Sequence, residues 1–488
     1  MTRRPFPSLL INEDSFVPQG AFAEAQAEFL SPDREVVAEL DRLLADEKIG
    51  VVAHFYMDPE LQGVLSACEH PHVHISDSLL MADAAVRMAR EGAEHIVVLG
   101  VDFMSENARA MLDASGFEST PVYRVAAAPI GCSLAESAES PEYLAYLREA
   151  SHHPSALHIV YINTSLATKA KAQAIVPTIT CTSSNVVSTV LTAAAQIEDV
   201  EIFFGPDTYM GQNLAALLAN IATLDDAHIA ALHPAHDRKS IQRLIERFHY
   251  FESGACIVHH MFGEQVAQTV RESYPDAFVT AHLEVPGEMF RIALERQRQG
   301  DRGVAGSTSN ILAFIEKKVE AAFDARVPQR LSFVLGTEAS MITSIANSVR
   351  KLLRSRPGSG VEVEIIFPVA SEAISQVHDP ELPIVPGVSG GEGCTPAGGC
   401  ATCPYMKMNS LDALLGLCRS LGGPKDLSAF HPKKYTELVA GRAAADIGTE
   451  PILHMRTFSR NRRLPAELVV DVQTRHALRR GARDTVSS

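Results

Sequence analysis

The sequence predicts an α/β protein built from three similar modules, each a parallel sheet flanked by helices. Three observations carry that prediction. From about residue 49 onward, Val- and Ile-rich runs alternate with segments of helical period, the pattern of strand–helix units around parallel sheets. One order of short motifs recurs three times along the chain. The length, 488 residues, is that of about three domains rather than one. In chain order, a first helix is expected after Ser31, with Ser31 as N-cap, Pro32 at the first helical position, and Asp33 and Glu35 in the first turn ahead of VVAELDRLLADE. Strands are expected at 49–56, 95–101, 157–163, 200–206, 277–284 and 331–338, with helices between them. The division expected is an N-terminal extension with one helix (1–48), modules at 49–155, 156–276 and 277–424, and a C-terminal extension (425–488). The extension is assigned no catalytic role and its tail, RHALRRGARDTVSS, is expected to fray.

Composition removes several function classes. Lys and Arg total 43 against 59 Asp and Glu, and a net charge of −16 repels nucleic acid and anionic membrane. No apolar run reaches the length of a membrane span, and Pro5, Pro7 and acidic residues interrupt the N-terminal segment before it could act as a secretory signal. A cytoplasmic protein is the expectation. Eight cysteines in a chain of this length are too sparse for a disulfide framework, so each is a small core residue or a metal ligand.

The repeat locates a site. In each third a strand ends in a polar pair: His54 and Tyr56, Tyr161 and Asn163, His282 and Glu284. A hydroxyl-rich helix start follows 22 to 25 residues on, with Ser78, Ser183 and Ser307–Thr308. A later strand closes on Gly-x-acid, at Gly100–Asp102, Gly205–Asp207 and Gly336–Glu338. Polar residues ending equivalent parallel strands belong to the ligand-binding edge of a sheet. A serine or threonine at a helix start is either an ordinary N-cap or, beside unpaired N–H groups at the positive end of the dipole, an anion receptor; three in register suit a set of about three anionic groups. His282 and Glu284 flank one strand residue and so share a face, where they can exchange protons with a substrate.

Each third ends with one cysteine in a distinct context: Cys132 in GCSLAE, Cys256 in ACIVHH and Cys403 in CPYMKMN. Three thiolates lack the fourth ligand of a closed zinc site but can hold three irons of a 4Fe-4S cluster, leaving one iron open as a Lewis acid for dehydration chemistry. Taken singly, each reads better as a buried structural cysteine, and it is their placement at one per module that raises the ligand reading above that. Cys400 and Cys403 form Cys-x-x-Cys, which with Cys394 offers a weak zinc site or a redox-sensitive thiol pair. Cys68 and Cys418 sit in apolar helical patterns as core residues, and Cys181 precedes the second hydroxyl-rich turn. The glycine-rich stretch 387–399 lacks the strand and helix of a nucleotide loop and is expected to be a flexible approach to Cys403.

The motifs HFY (54–56), SDS (76–78), GVDFMSENA (100–108), CSLAE (132–136), YINTS (161–165), CTSSN (181–185), CIVH (256–259), HLE (282–284), GSTS (306–309), GTE (336–338) and CPYMKMN (403–409), in this order, resemble the quinolinate synthase family over about residues 49 to 422. The resemblance implies three Rossmann-like αβα modules around a pseudo-threefold axis with the active site at the centre. It also implies a dehydrating condensation of iminosuccinate with dihydroxyacetone phosphate to quinolinate, for pyridine nucleotide synthesis. On that basis Cys132, Cys256 and Cys403 hold a 4Fe-4S cluster. Substrate contacts fall on His54, Ser78, Tyr161, Asn163, Ser183, His282, Glu284 and Thr308, and Tyr56 lies near the chemistry with His282 and Glu284. An aspartate-oxidising enzyme is the implied supplier of iminosuccinate. Two departures stand out: Leu283 occupies a position where proline is common, and Cys132 and Cys256 are widely spaced, an excess attributed to 233–255 and to a stretch near 137–156. Two other classes remain open, a three-module cluster enzyme of the diphthamide-synthesis type using S-adenosylmethionine, and a zinc-stabilised binding protein.

Overall fold

A computed structural model describes residues 5–254, 256, 262–368, 403 and 405–475. The chain forms two compact units, one of Met1–Gly131 with Ile257–Pro432 and one of Cys132–Cys256 with Lys433–Ser488. The elements of each are described within it.

The first unit begins with an antiparallel pair, β1 (Ser8–Ile11) and β2 (Phe16–Gln19). It then carries β3 (Ile49–His54), β4 (Val73–Ser76), β5 (His95–Leu99) and β6 (Val122–Arg124), all parallel in the order β4-β3-β5-β6. The second unit carries β7 (Ala156–Tyr161), β8 (Thr178–Cys181), β9 (Glu201–Gly205) and β10 (Phe248–Tyr250), parallel in the order β10-β9-β7-β8. The first unit resumes with β11 (Phe278–His282), β12 (Gly303–Gly306), β13 (Gln329–Gly336) and β14 (Val361–Ile366), parallel in the order β12-β11-β13-β14. The three sheets therefore share one strand order: second, first, third, fourth. The α/β class with repeated parallel sheets is the fold the sequence predicts.

Full burial of β3 and β7 explains their composition. Every residue of IGVVAH and ALHIVY is buried, as expected of strands covered by helices on both faces. The third sheet's core joins Leu9, Ile11, Phe314, Phe333 and Phe367 with the helix Ile342–Ser355. Glu364, buried on β14, accepts hydrogen bonds from Ser8 (3.0 Å) and Ser332 (2.8 Å), so its charge is not left bare.

Several local expectations are corrected. The N-terminal segment holds two helices and a strand pair rather than one helix: β1 joins β14 antiparallel and extends the third sheet, and Ala21–Glu28 is a helix despite lacking a side-chain cap, because Phe22 and Ala23 pack into the core. The next helix, Arg34–Asp46, is capped by Asp33, which accepts from Glu35 N at 2.8 Å, so Ser31 and Pro32 lie outside it. The excess attributed to 233–255 is real in its capping-box helix Arg238–Glu246 but not in β10, which is the fourth strand of its sheet. The stretch near 137–156 contains the helix Pro141–His152 that leads into β7, as Arg34–Asp46 leads into β3 and Glu264–Ser273 into β11. The surplus in this module is the helix pair Asp226–Leu232 and Arg238–Glu246.

From Lys433 onward the C-terminal extension is built into the second unit. Its helix Ala444–Asn461 packs on Leu166–Ile175, and Gly448 sits so close to the Leu166 carbonyl that a Cβ has no room. His454 Nδ1 lies 3.0 Å from the Thr178 carbonyl on β8. The tail expected to fray, beyond 475, and the 387–399 loop lie outside the described residues.

Candidate active site

The polar pairs fall at one register. β3, β7 and β11 end on His54, Tyr161 and His282 respectively, and Tyr56, Asn163 and Glu284 follow two residues later. The second strands end on Ser76, Cys181 and Gly306, placing Ser78, Ser183 and Thr308 two residues beyond.

In the first unit, the His-x-X turns of β3 and β11 share a geometry. Tyr56 N–H donates to His54 Nδ1 (3.2 Å), and Glu284 N–H donates to His282 Nδ1 (3.3 Å). With Nδ1 accepting, the neutral ring carries its proton on Nε2. Burial pulls the His54 imidazole down to about 4, against the opposing charge of Glu284, so the ring is neutral near pH 7. His282 and Glu284 are 2% and 3% exposed, with Nδ1 and Oε1 4.0 Å apart. The Tyr56 hydroxyl, with its ring edge-on to His54, reaches Thr337 Oγ1 at 3.1 Å, joining the first sheet's strand end to the third's.

Ser78 and Thr308 are not N-caps. Asp77 accepts from Leu79 and Leu80 N–H (3.1 and 3.0 Å), and Ser307 forms a capping box with Asn310. The residue directly after each strand has the extended backbone that a cap needs, while Ser78 and Thr308 are already helical. Their hydroxyls, 6% and 4% exposed by residue, are not consumed by capping. In the second unit Ser183 sits in the turn before Val186–Gln196, whose N-cap is Asn185; Asn185 Oδ1 instead accepts from Thr182 N at 2.8 Å. There the buried Lys169 ammonium donates to the Ile162 carbonyl (3.1 Å) and to that of Thr164, bracing the turn that presents Asn163.

Each cysteine segment is tied to the helix start that follows its sheet's third strand. Asp102 N donates to Ile130 O (2.9 Å), and Ile130 N donates to Asp102 Oδ1 (3.1 Å), two residues before Cys132; Arg124 holds the same carboxylate oxygen at 2.8 Å. Thr208 repeats this on Gly254, two residues before Cys256: Thr208 N donates to Gly254 O (2.7 Å), and Gly254 N donates to Thr208 Oγ1 (2.9 Å). Gly254 lies against the Pro206 carbonyl, where a Cβ would collide. Cys403 N donates to Glu338 Oε1 at 2.6 Å. Burial pushes the Glu338 carboxyl up to about 8, with Glu284 adding to the rise and the Cys403 and Ser340 hydrogen bonds and Lys407 opposing it. Asn409, fully buried, takes Gly100 N–H at 3.0 Å and anchors the stretch after Cys403.

Cys132, Cys256 and Cys403 are all half-buried, and each follows the fourth strand of its sheet. The other described cysteines suit thiolate ligation poorly. Burial holds the Cys181 thiol well above its usual range and pushes Cys418 up to about 12. Cys68 also rises to about 12, through burial and then the Asp41 carboxylate; it is half-buried at a helix end rather than in the core. Each of the three is a half-buried thiol on a braced segment, the residue type that iron-sulfur clusters use. Cys394 and Cys400, and with them the zinc and thiol-pair readings, lie outside the described residues.

Sequence reasoning did not single out Asp77, Thr208, Thr337, Lys169 or Asn409. Three of these sit in motifs it quoted: Asp77 in SDS, Thr337 in GTE and Asn409 in CPYMKMN. Thr208 is the residue after the Gly205-x-Asp207 acid, and Lys169 carries only the weak mark of a charge on an apolar helix.

Residues 38–356 match the family described as NadA, quinolinate synthetase A protein. The chain belongs to the quinolinate synthase family. It is 54% identical to a chloroplastic quinolinate synthase of Nicotiana tabacum over 484 residues, 96% of this chain and 67% of that protein. It is 52% identical to the chloroplastic quinolinate synthase of Arabidopsis thaliana, over 96% of this chain and 67% of that one. The quinolinate synthase of Prochlorococcus marinus (strain MIT 9313) is 25% identical over 80% of this chain and 86% of its own length. The chain thus spans about two thirds of the plant relatives. Quinolinate synthases are enzymes acting on small molecules, and among the described residues no helix is long and apolar enough to cross a membrane.

Proposed function

We propose that this chain condenses iminosuccinate with dihydroxyacetone phosphate to quinolinate, releasing one phosphate and two waters. The balance closes without an oxidant. The observation that carries the reading is the common register: polar residues ending the first strand, a hydroxyl two residues beyond the second, and a cysteine after the fourth, in all three sheets. Two substrate carboxylates and one phosphate are three anions for Ser78, Ser183 and Thr308, each at or just before a helix start, where the helix dipole is positive. The reading carries with it the modules 49–155, 156–276 and 277–424 and the family's pseudo-threefold arrangement, supported by the shared strand order.

His54 and His282 present Nε2–H to substrate oxygens, and burial keeps His54 neutral as a donor. Glu284, beside His282, takes and returns the protons that move as the two waters are lost. Tyr56, fixed by Thr337, orients the reacting carbonyl, while Tyr161 and Asn163 position the other partner. Cys132, Cys256 and Cys403 would hold a 4Fe-4S cluster, which when bound supplies an open iron as a Lewis acid for hydroxyl and carbonyl oxygen. A reducing compartment suits such thiolates, as the cytoplasmic expectation requires; the plant relatives' names place those proteins in the chloroplast, and cell fractionation decides between the two for this chain. Iminosuccinate hydrolyses readily, so an aspartate-oxidising enzyme is the natural source. The test is an anaerobic assay of reconstituted protein with freshly generated iminosuccinate and dihydroxyacetone phosphate. Quinolinate formed by the parent and lost in Glu284→Gln supports the reading, and its absence from a cluster-loaded parent rejects it.

A further inference from the structure

A second group of ligand-type side chains lies in the second unit, at the far end of its sheet from Tyr161. His153 follows the helix Pro141–His152, Glu201 is the first residue of β9, and His249 is the middle residue of β10. One nitrogen of each histidine and one carboxylate oxygen all lie within 4.8 Å of one another, and His249 Nε2 is 2.9 Å from Glu201 Oε2. Glu201 pairs with Ala156, the first residue of β7, whereas Tyr161 is its last. Five residues of strand, about 16 Å, separate this cluster from the candidate substrate residues.

We propose that His153, Glu201 and His249 form a binding site for a divalent first-row transition metal, independent of the cysteine ligands. The donor set decides the class of ion. Two imidazoles and one carboxylate are a common set for zinc or ferrous iron with open coordination positions, and a poor one for magnesium or calcium, which take oxygen ligands. Ligand bonds of about 2.0–2.1 Å place tetrahedral donors about 3.3 Å apart. Separations from 2.9 Å to at most 4.8 Å bracket that edge, so rotation about side-chain bonds closes the site. The rings are oriented by what lies beneath them: His249 stacks on Phe203 at 4.6 Å and 22°, and His153 meets the same ring at 5.1 Å. The donors remain reachable, with the His249 and Glu201 side chains 37% and 20% exposed. Arg247, whose charge reaches Glu201, is engaged by Asp199 and does not occupy the centre of the group. The three donors come from a helix end and two strands, so a bound ion cross-links Pro141–His152 to the β9–β10 edge of the sheet.

The bland alternative is a His249–Glu201 ion pair with His153 nearby by packing alone. Calorimetry of the cluster-loaded protein with Zn2+, under anaerobic conditions and with Mg2+ as control, separates the two. The expected result is one Zn2+ site beyond the cluster iron, a melting temperature raised by Zn2+ but not by Mg2+, and unchanged iron content. Outer-shell partners of a metal already contribute 10- to 100-fold to affinity, so losing a direct ligand in His153→Gln should weaken Zn2+ binding by at least about 100-fold. Glu201→Gln should do the same while keeping the hydrogen-bonding shape, which guards against one variant failing to fold. No Zn2+ site in the parent, or equal Zn2+ affinity in the parent and both variants, overturns the proposal.

Discussion

Thr208 offers a sharp test of how the cysteine segments are held. Its hydroxyl donates to Phe251 O at 3.1 Å and accepts from Gly254 N at 2.9 Å, while its own N–H donates to Gly254 O. Thr208→Val keeps the side-chain shape and the backbone bond but removes both hydroxyl bonds from the segment that leads to Cys256. At roughly 0.5–1.5 kcal/mol for each bond, the segment loses about 1–3 kcal/mol of restraint. Since 1.4 kcal/mol is a factor of ten, local opening becomes about 5- to 150-fold more frequent. If Cys256 ligates iron, iron loss to a competing chelator should accelerate by that factor, read as the decay of cluster absorbance under anaerobic conditions. Thr208→Ser, which keeps the hydroxyl, should retain the parent rate. Equal chelation rates in Thr208→Val and parent, with circular dichroism unchanged, would show that this brace has no part in holding a cluster.

Further outcomes are expected. Replacing Cys132, Cys256 or Cys403 with Ser should abolish most cluster absorbance, while Cys181→Ser should leave it; the reverse pattern in iron and sulfide analysis would reassign the second module's ligand. Glu284→Gln keeps its shape but loses its base, and turnover should fall by about 100-fold or more with the cluster intact. Ser78→Ala, Ser183→Ala and Thr308→Ala should each weaken apparent substrate affinity by about 10- to 150-fold with little change in melting, a charged hydrogen bond being worth roughly 1.5–3 kcal/mol. The caps Asp77 and Ser307 should behave oppositely, losing about 1 kcal/mol of stability on substitution by Ala, so the two kinds of variant check each other in one melting and binding series. His158, buried between Tyr143 and Thr178, is held down to about 3 by desolvation. Its unfolded form gains a proton below about 6.5 that the folded form refuses, so stability present above that pH is lost as pH falls toward 3, by up to about 1.4 kcal/mol per pH unit. Comparing melts at pH 7.5 and 5.5, His158→Gln should flatten this dependence, and a slope equal to the parent's would refute it.

What the sequence disclosed follows from which interactions are local. β3, β5, β7, β9, β11 and β13 are central strands, rich in Val, Ile, Leu and Phe because helices cover both faces, and their apolar runs are visible without the fold. The second strands are four residues each, VHIS, TITC and GVAG, too short and mixed for a periodic pattern, and they exist because a formed neighbour offers them a ladder. β10 hides in FHY for the same reason, which hid it within the surplus stretch at 233–255. The cap expected at Ser31 falls on Asp33, and the N-cap alternative for Ser78 and Thr308 fails by one residue, since adjacent Asp, Ser and Thr residues compete for the cap and only backbone geometry chooses. The helix Ala444–Asn461 was missed because Gly448 and Pro451 interrupt its pattern, yet Gly448 is what allows its close approach to Leu166. Thr208 and Asn409 escaped because their partners lie 46 and 309 residues away, beyond any local pattern.

Product stoichiometry decides whether this chain makes quinolinate from two small acids without an oxidant. Cluster-loaded protein is supplied anaerobically with dihydroxyacetone phosphate and iminosuccinate, and quinolinate and inorganic phosphate are measured together over time. Equal amounts of the two are expected, dependent on both substrates and on the cluster. Phosphate release without quinolinate, or no turnover by protein carrying its full complement of iron and sulfide, would contradict it.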